Sequence, residues 1–420
     1  MSILDYAYQL LCKLKNKEMT FSFVINKKIG ANEIDAPLVM PLKDAMKAVV
    51  NRYYFLAWEV KHYLKGIALS ESELDVLVLA LALTRYSRNL DAGRIESELT
   101  AFLSESGSAL DTETVLKMIG ELKEKTTTLP DAFNENFSKK ISLNYAYPEW
   151  LVSMMRKHYG TRFTYKSIAA SRKSTPISIC TNEILTDGIE DEAFEKTETT
   201  ANSYFYVGKK KLFEEELFLS RKVFVLDQSE QKVLDNLKIV QGERILMYGK
   251  FEPSFVVDTL VKLMDLGKVR VALDHPDAVN ALRKVVGKFR FRSCEVFESP
   301  LNLICTHSSD DNDRVIVLPE SSELGLVRKK PEVLLSFKKE DLDAYIEGQT
   351  AVLNEMGQYV KNDGELDYLV PTLNKKESFG LIRQFLDTHP QFGLIEEKTI
   401  FPFEYRGEGI YYARLRKLGK

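Results

Sequence analysis

The chain has 420 residues, of which 45% are hydrophobic and 28% are charged, and its 58 basic and 61 acidic residues leave a formal net charge of −3. This composition excludes a disordered chain and predicts two or three domains with cores of ordinary size. The balanced charge also excludes nucleic-acid binding through the overall field of the protein, so any RNA contact must rest on local basic clusters.

The cysteines and the apolar stretches indicate the cellular compartment of the protein. The four cysteines are Cys12, Cys180, Cys294 and Cys305, and no two of them form a CxxC pair. Neither a zinc site nor a disulfide framework is expected, and the five histidines show no metal-ligand spacing either. The longest apolar stretch, Val76 to Leu83, is too short to cross a membrane. We therefore predict a cytoplasmic protein with no metal and no membrane partner.

Residues 1–142 are predicted to form an all-helical domain. Their apolar residues recur at helical spacing, and no strand-like alternation occurs before residue 160. Ser70 and Glu73 have the spacing of a capping box, directly ahead of an apolar run.

Residues 143–225 are predicted to form a small α/β linker domain. A helix is expected after Pro148 and is expected to end at Gly160. The segments 175–181 and 222–226 alternate like strands.

Residues 226–420 alternate between helical and strand patterns, which predicts a parallel, doubly wound sheet. Strands are expected at 244–248, 269–273, 314–318 and 366–370. The end of the chain is expected to be a β-hairpin that turns at 406–409.

Six stretches, in this order, carry a family resemblance. They are YPEWLV at 147–152, PISICTN at 176–182, VLDQSEQ at 225–231, GERIL at 242–246, LGLVRKKPE at 324–332 and EGIYYARL at 408–415. Together they resemble the RsmB (Sun) group of small-subunit ribosomal RNA 5-methylcytosine methyltransferases, and LGLVRKKPE is the most specific of the six. The resemblance implies a NusB-like helical domain in front, a Rossmann-like methyltransferase domain behind, ribosomal RNA as partner and S-adenosylmethionine as ancestral cofactor.

The cofactor loop departs from the family pattern. Where the family has DLCAAPGGKT, this chain has MYGKFEPSFV at 247–256, in which Gly249 is the remaining glycine. Glu252, Pro253 and Ser254 replace the Pro-Gly-Gly turn that lets backbone amides approach the cofactor. Asp274 stands where a carboxylate would accept the ribose hydroxyls, but an Asp there also suits the cap of the next helix, which we favour. No bound cofactor is therefore expected.

The catalytic motifs also differ from the family pattern. The family uses one thiol to attack carbon 6 of cytosine and a second thiol to assist release after methyl transfer. Its DAPCSG motif is LPESSE at 318–323 here, so Leu318 replaces the acid and Ser321 replaces a cysteine. Its YSTCT motif is YLVPT at 368–372, so Pro371 replaces the other cysteine. Ser321 could act as a nucleophile only with a neighbouring base. We expect no catalytic residue at these positions.

Two basic clusters are candidates for RNA binding. Arg328, Lys329 and Lys330 follow the altered catalytic loop, on the side where a doubly wound sheet presents its ligands. Lys209, Lys210 and Lys211 follow the aromatic run 204–206, an arrangement suited to phosphate contacts and base stacking.

Three functions are compatible with these patterns. The first is an RNA-binding pseudoenzyme that has lost methyl transfer. The second is an active ribosomal RNA methyltransferase with unusual residues. The third is a protein-interaction module that works through the helical domain.

Overall fold

The computed structural model describes residues 2–30, 34–88, 90–124, 129, 136–306 and 311–419. Its contacts form two compact units, one made of Met1–Tyr165 with Lys329–Phe337 and the other of Lys166–Arg328 with Lys338–Lys420. We call them the helical unit and the α/β unit. The predicted domain boundaries after residues 142 and 225 stay predictions.

The helices and strands are distributed along the whole chain. The helices are α1 (Ile3–Lys15), α2 (Phe21–Phe23), α3 (Ala36–Tyr63), α4 (Glu71–Tyr86), α5 (Ala92–Glu105), α6 (Thr112–Glu124), α7 (Phe137–Tyr145), α8 (Glu149–Ser171), α9 (Glu216–Leu219), α10 (Gln228–Leu237), α11 (Pro253–Lys262), α12 (Pro276–Phe289), α13 (Val333–Ser336), α14 (Leu342–Met356) and α15 (Phe379–Thr388). The strands are β1 (Ile177–Thr181), β2 (Phe194–Lys196), β3 (Ser203–Tyr206), β4 (Val223–Val225), β5 (Arg244–Gly249), β6 (Lys268–Leu273), β7 (Cys294–Glu298), β8 (Asn312–Leu318), β9 (Val360–Val370), β10 (Phe392–Ile400) and β11 (Ile410–Lys417).

Helix α4 is the centre of the helical unit. It contacts α1, α3, α5 and α6, and it buries every residue from Leu74 to Leu83. A helix surrounded in this way can be apolar on all sides, which explains the apolar run in its sequence. Ser70 and Glu73 form the predicted capping box at its start.

Residues 329–337 pack into the helical unit although they lie far from it in sequence. Glu332 accepts a hydrogen bond from the Phe21 backbone amide at 3.0 Å, and the Tyr54 hydroxyl donates to the Leu334 carbonyl at 2.6 Å. Leu335 is buried in the same core as α1, α3 and α4. The short helix α13 is therefore an integral part of this unit.

Helix α8 does not end at Gly160 as predicted. Gly160 has φ 78° and ψ 169°, so the helix breaks there, and helical structure then resumes and reaches Ser171. Glycine tolerates this positive φ, so the chain changes direction at Gly160 and is helical on both sides of it.

The α/β unit contains two sheets. Four antiparallel strands form the smaller sheet in the order β2-β3-β1-β4. Seven strands form the larger sheet in the order β10-β11-β9-β8-β5-β6-β7, in which β5 to β9 are parallel and β10 and β11 are an antiparallel hairpin. The predicted combination of a helical amino-terminal region with a doubly wound, Rossmann-like sheet is confirmed, and the sheet ends in a β-hairpin as predicted.

Alternating side chains of β5 point to opposite faces of the large sheet and pack against different helices. Ile245 and Met247 are buried in a core with α10, α11 and α12, whereas Leu246 and Tyr248 are buried in a core with α14 and α15. The strand order reverses between β5 and β8, and such a reversal opens a crevice at the carboxyl ends of the strands. Among the helices that the structure describes, none is both long and apolar enough to cross a membrane.

Candidate functional site

A cleft of about 220 Å³ opens where β5, β6 and β8 end. It is lined by Tyr248, Gly249, Lys250, Asp274, Pro319, Glu320, Ala344, Tyr345, Gly348 and Val352. Binding pockets for small molecules usually measure about 300 to 1,000 Å³, so this cleft is below the lower end of that range.

Gly249 has a structural role at the edge of this cleft. Its φ is 127°, and a Cβ atom there would lie 2.0 Å from the Leu318 carbonyl oxygen. The same oxygen accepts a hydrogen bond from the Lys250 amide at 2.8 Å, which joins the ends of β5 and β8. The close approach of these strands requires a glycine at position 249.

The first turn of α11 follows β5 across a short loop. Pro253 is the first residue of the helix, and Glu252 caps it without a side-chain hydrogen bond to the backbone. Proline is well tolerated at this position but has no N–H group to offer a ligand. Glu252 is exposed and Ser254 is half-buried. This turn therefore has an exposed carboxylate. It also has one backbone amide fewer than a turn built from glycines.

Lys250 and Glu320 form an ion pair at the cleft, with 2.8 Å between Nζ and Oε1. Both side chains are largely exposed, so the pair contributes little to stability. It nevertheless places two charged side chains at the carboxyl ends of β5 and β8.

Asp274 does not cap α12, which corrects the favoured interpretation of the sequence. The capping residue is His275, whose Nδ1 accepts a hydrogen bond from the Asp277 amide at 3.2 Å. Asp274 is exposed and lines the cleft instead. The pKa of Tyr248 is raised, first by burial and then by the negative charge of Asp274.

The positions of the two family cysteines lie in the loops after β8 and β9. Ser321 is buried, and its Oγ accepts a hydrogen bond from the Glu323 amide at 3.3 Å. In the described part of the chain no carboxylate bonds to this hydroxyl, and the neighbouring Glu320 is paired with Lys250. The Pro371 carbonyl accepts a hydrogen bond from the Gly325 amide at 3.0 Å. Leu318, at the third altered position, is the last residue of β8.

A buried polar network joins these two loops, and sequence patterns did not reveal it. The Ser322 and Thr372 hydroxyls lie 3.0 Å apart, and both donate to Oε2 of Glu377. Oε1 of Glu377 accepts from the Ser322 amide at 2.8 Å and from Gln349 Nε2 at 3.0 Å. All four residues are buried. A carboxylate satisfied by four donors fixes the loops relative to each other.

The lysine cluster at 209–211 is exposed, but the preceding aromatic residues are not. Tyr204, Phe205 and Tyr206 are buried, and the Tyr206 hydroxyl donates to Glu215 at 2.6 Å. The expectation that these rings stack on bases is wrong, because strand β3 is covered on both faces.

Arg328 holds the carboxyl-terminal loop of the α/β unit. Its Nη1 donates to the carbonyls of Arg406 and Gly407, and its Nη2 donates to those of Ala170 and Pro402. Its Nε is buried as well. This guanidinium is occupied by backbone oxygens, so a phosphate contact at the 328–330 cluster rests on Lys329 and Lys330, which belong to the helical unit.

Within the described ranges, no group of three or more His, Cys, Asp or Glu residues is arranged to hold a metal ion. Two of the free thiols, Cys180 and Cys294, do not replace the family cysteines either. Burial raises the pKa of Cys180, and the nearby Asp258 raises it further. Burial also raises the pKa of Cys294, to about 12. Neither thiol is therefore poised to form a thiolate.

Comparisons with known proteins agree with this architecture. A family model described as 16S rRNA methyltransferase RsmB/F matches residues 259–416. The Bacillus subtilis protein named Probable ribosomal RNA small subunit methyltransferase B is 21% identical, and the match covers 100% of this chain and 99% of that protein. The Photorhabdus laumondii protein named Ribosomal RNA small subunit methyltransferase B is 24% identical over 66% of this chain and 67% of its own length.

Among solved structures, the crystal structure of PH0851 has a TM-score of 0.70 at 16% identity and covers 92% of both chains. At that identity the likeness shows the fold. The predicted resemblance to the RsmB group is confirmed by the family model and by the names of the relatives.

Proposed function

We propose that this chain is an RNA-binding pseudoenzyme that keeps the scaffold of ribosomal RNA methyltransferases and has lost methyl transfer. The observation that carries the proposal is the state of the two catalytic loops. Ser321 and Pro371 occupy the thiol positions, and the next residue in each loop, Ser322 and Thr372, is bound to the buried Glu377. The hydrogen bonds to Glu377 hold both loops in place, and none of these bonds involves a thiol.

The surroundings of the cleft support the loss of S-adenosylmethionine binding. The residues present do not fit this cofactor, since the cleft is small, Pro253 removes an amide from the first turn of α11, and the Lys250–Glu320 pair lies at the cleft.

S-adenosylmethionine is expected to bind weakly or not at all. Isothermal titration of the full chain with the cofactor tests this expectation directly. A dissociation constant in the low micromolar range, about −8 kcal/mol or better, would contradict it. The Photorhabdus relative, titrated in the same buffer, serves as the positive control.

The names of the relatives favour a second candidate, an active ribosomal RNA methyltransferase. The altered residues at 318, 321 and 371 argue against it, because a proline supplies no nucleophile and no base among the described residues bonds to Ser321. A methyl-transfer assay separates the two candidates.

RNA binding is expected to persist with a strong salt dependence. Exposed Lys209, Lys210 and Lys211 would contact phosphates, and each contact that releases counterions adds about 0.7 to 0.9 to the slope of log affinity against log salt. Changing all three to Gln should therefore flatten the slope by up to about 2 to 3 for an unmodified small-subunit RNA fragment. Changing all three to Arg should preserve the slope. Absence of RNA binding by the unaltered chain at low salt would refute the proposed function.

A further inference from the structure

The α7–α8 pair of the helical unit carries a local charge that the chain as a whole does not have. Residues 136–165 contain five Lys or Arg residues and one Glu, a formal charge of +4, whereas the chain totals −3. The five cations are Lys139, Lys140, Arg156, Lys157 and Arg162. The one acid, Glu149, already pairs with Lys139 at 3.2 Å. An excess of this kind on one helical pair is the electrostatic footprint of a polyanion site.

Three of these cations remain available to a ligand. Arg156, Lys157 and Arg162 are exposed, and none of them has a salt bridge within the part of the chain that the structure describes. The Arg156 guanidinium lies 5.5 Å from the centre of the Phe137 ring, which leaves its N–H groups able to donate. Exposed cations of this kind can be neutralised by a bound polyanion.

Two large aromatic side chains are exposed beside these cations. Phe163 is 44% exposed and Tyr165 is 47% exposed. Residues two apart on a helix point to different sides, so Phe163 and Tyr165 do not share a face, and the ring that lies beside Arg162 is that of Tyr165. Arg162 and Tyr165 are three residues apart on a helix and therefore share one face.

Contacts to α7 place one of the cations, Arg156, and one of the rings, Tyr165, along the same helix. Arg156 lies over Phe137 at the start of α7, and the Tyr165 ring packs edge-on against Tyr145 at its end, with ring centres 6.1 Å apart. Tyr145 lies eight positions after Phe137, so the two contacts are about 12 Å apart along the helix. At about 3.4 Å per nucleotide of a stacked strand, this length matches three to four nucleotides.

We propose that the α7–α8 surface binds a single RNA strand, with Arg156, Lys157 and Arg162 on the phosphates and Tyr165 stacked on a base. This inference rests on the proposed RNA-binding function and locates one site for it. Lys209 to Lys211 lie in the other unit and are not needed for the argument.

The test measures binding of a fluorescein-labelled single-stranded RNA of about twelve nucleotides, within the usual range of single-strand site sizes. Anisotropy is recorded across a series of salt concentrations. The charge variant combines Arg156→Gln, Lys157→Gln and Arg162→Gln. Its matched control combines Lys117→Gln, Lys123→Gln and Lys284→Gln, which removes the same charge from exposed lysines elsewhere. The charge variant should flatten the salt slope by up to about 2, since each single-strand phosphate contact adds about 0.7, and the control should leave it unchanged.

A second pair of variants tests the stacking. Tyr165→Ala should weaken binding about fivefold or more with the salt slope preserved, whereas Phe163→Ala, which removes a ring from another side of the same helix, should leave the affinity unchanged. Tyr165→Phe keeps the ring and should keep the affinity. Thermal unfolding of each variant confirms that it is folded.

Two results would overturn the inference while leaving the proposed function in place. One is RNA binding with the same salt slope in the charge variant as in its control. The other is unchanged affinity in the Tyr165→Ala variant. Binding to vesicles of anionic lipid, without any binding to RNA, would overturn both the inference and the proposed function.

Discussion

The purified chain is expected to transfer no labelled methyl group from S-adenosylmethionine to unmodified small-subunit RNA. Leu318, Ser321 and Pro371 stand where the resembled family has an acid and two cysteines. Without a thiolate to attack carbon 6, carbon 5 of cytosine does not become nucleophilic. Removal of a covalent nucleophile and its partner typically costs several orders of magnitude in rate, so incorporation should equal that of a blank without protein. The Photorhabdus relative, assayed beside it, shows that the RNA is a competent substrate.

Restoring the thiols alone should not restore the reaction. The variant Ser321→Cys with Pro371→Cys still has Pro253 at the first turn of α11 and the Lys250–Glu320 pair at the cleft. Incorporation by this double variant would show that the cofactor loop is competent and that the proposed loss of cofactor binding is wrong. Incorporation by the unaltered chain would instead support the active-enzyme candidate, and Ser321→Ala would then identify whether that hydroxyl takes part.

Arg314→Met is expected to destabilise the α/β unit by about 3 to 5 kcal/mol, the usual cost of removing one partner from a buried ion pair. The Arg314 side chain is 3% exposed and lies within 2.9 Å of carboxylate oxygens of Glu243, Glu365 and Asp367. Asp367 is fully buried, so it cannot recover its lost partner from water. A change of this size is a large part of the stability of a typical domain.

Urea unfolding followed by circular dichroism measures this effect. Arg244→Met is the matched control, because Arg244 also pairs with two carboxylates but its side chain is 47% exposed. Exposed pairs contribute about 1 kcal/mol or less, so the control should unfold close to the unaltered chain. Equal stability of the two variants would show that the buried cluster is not a major contribution to stability.

The central strands of the large sheet could be predicted from sequence because they are short apolar runs bounded by charged or turn residues. The expected segments 244–248 and 269–273 differ from β5 and β6 by one residue each. Strand β10 was not predicted. It is the edge of the sheet, and several consecutive residues from Leu394 are exposed, so its sequence lacks the alternation of a half-buried strand. For this reason the strand before the predicted turn at 406–409 was expected at 401–405. Those residues lie in the loop between β10 and β11.

The candidate site was predictable only where a family motif covers it. Motif comparison located Ser321 and Pro371, but the network around Glu377 joins residues that lie up to 55 positions apart. Ser322, Gln349 and Thr372 are polar residues that sequence patterns assign to a solvated surface, and their burial depends on the sheet that brings the loops together. The same limit applies to Tyr204–Tyr206, whose burial depends on the pairing of β3 with β1 and β2.

The packing of residues 329–337 into the helical unit has a consequence for synthesis on the ribosome. An amino-terminal stretch that ends at Tyr165 has been made long before Glu332 and Leu334 exist, so the hydrogen bonds from the Phe21 amide and the Tyr54 hydroxyl to these two residues cannot form during that interval. The helical unit is complete only after Phe337 has left the exit tunnel, when most of the large sheet has also been translated. Folding of the helical unit from the amino terminus during synthesis therefore cannot include its contacts with residues 329–337 until that later segment is available.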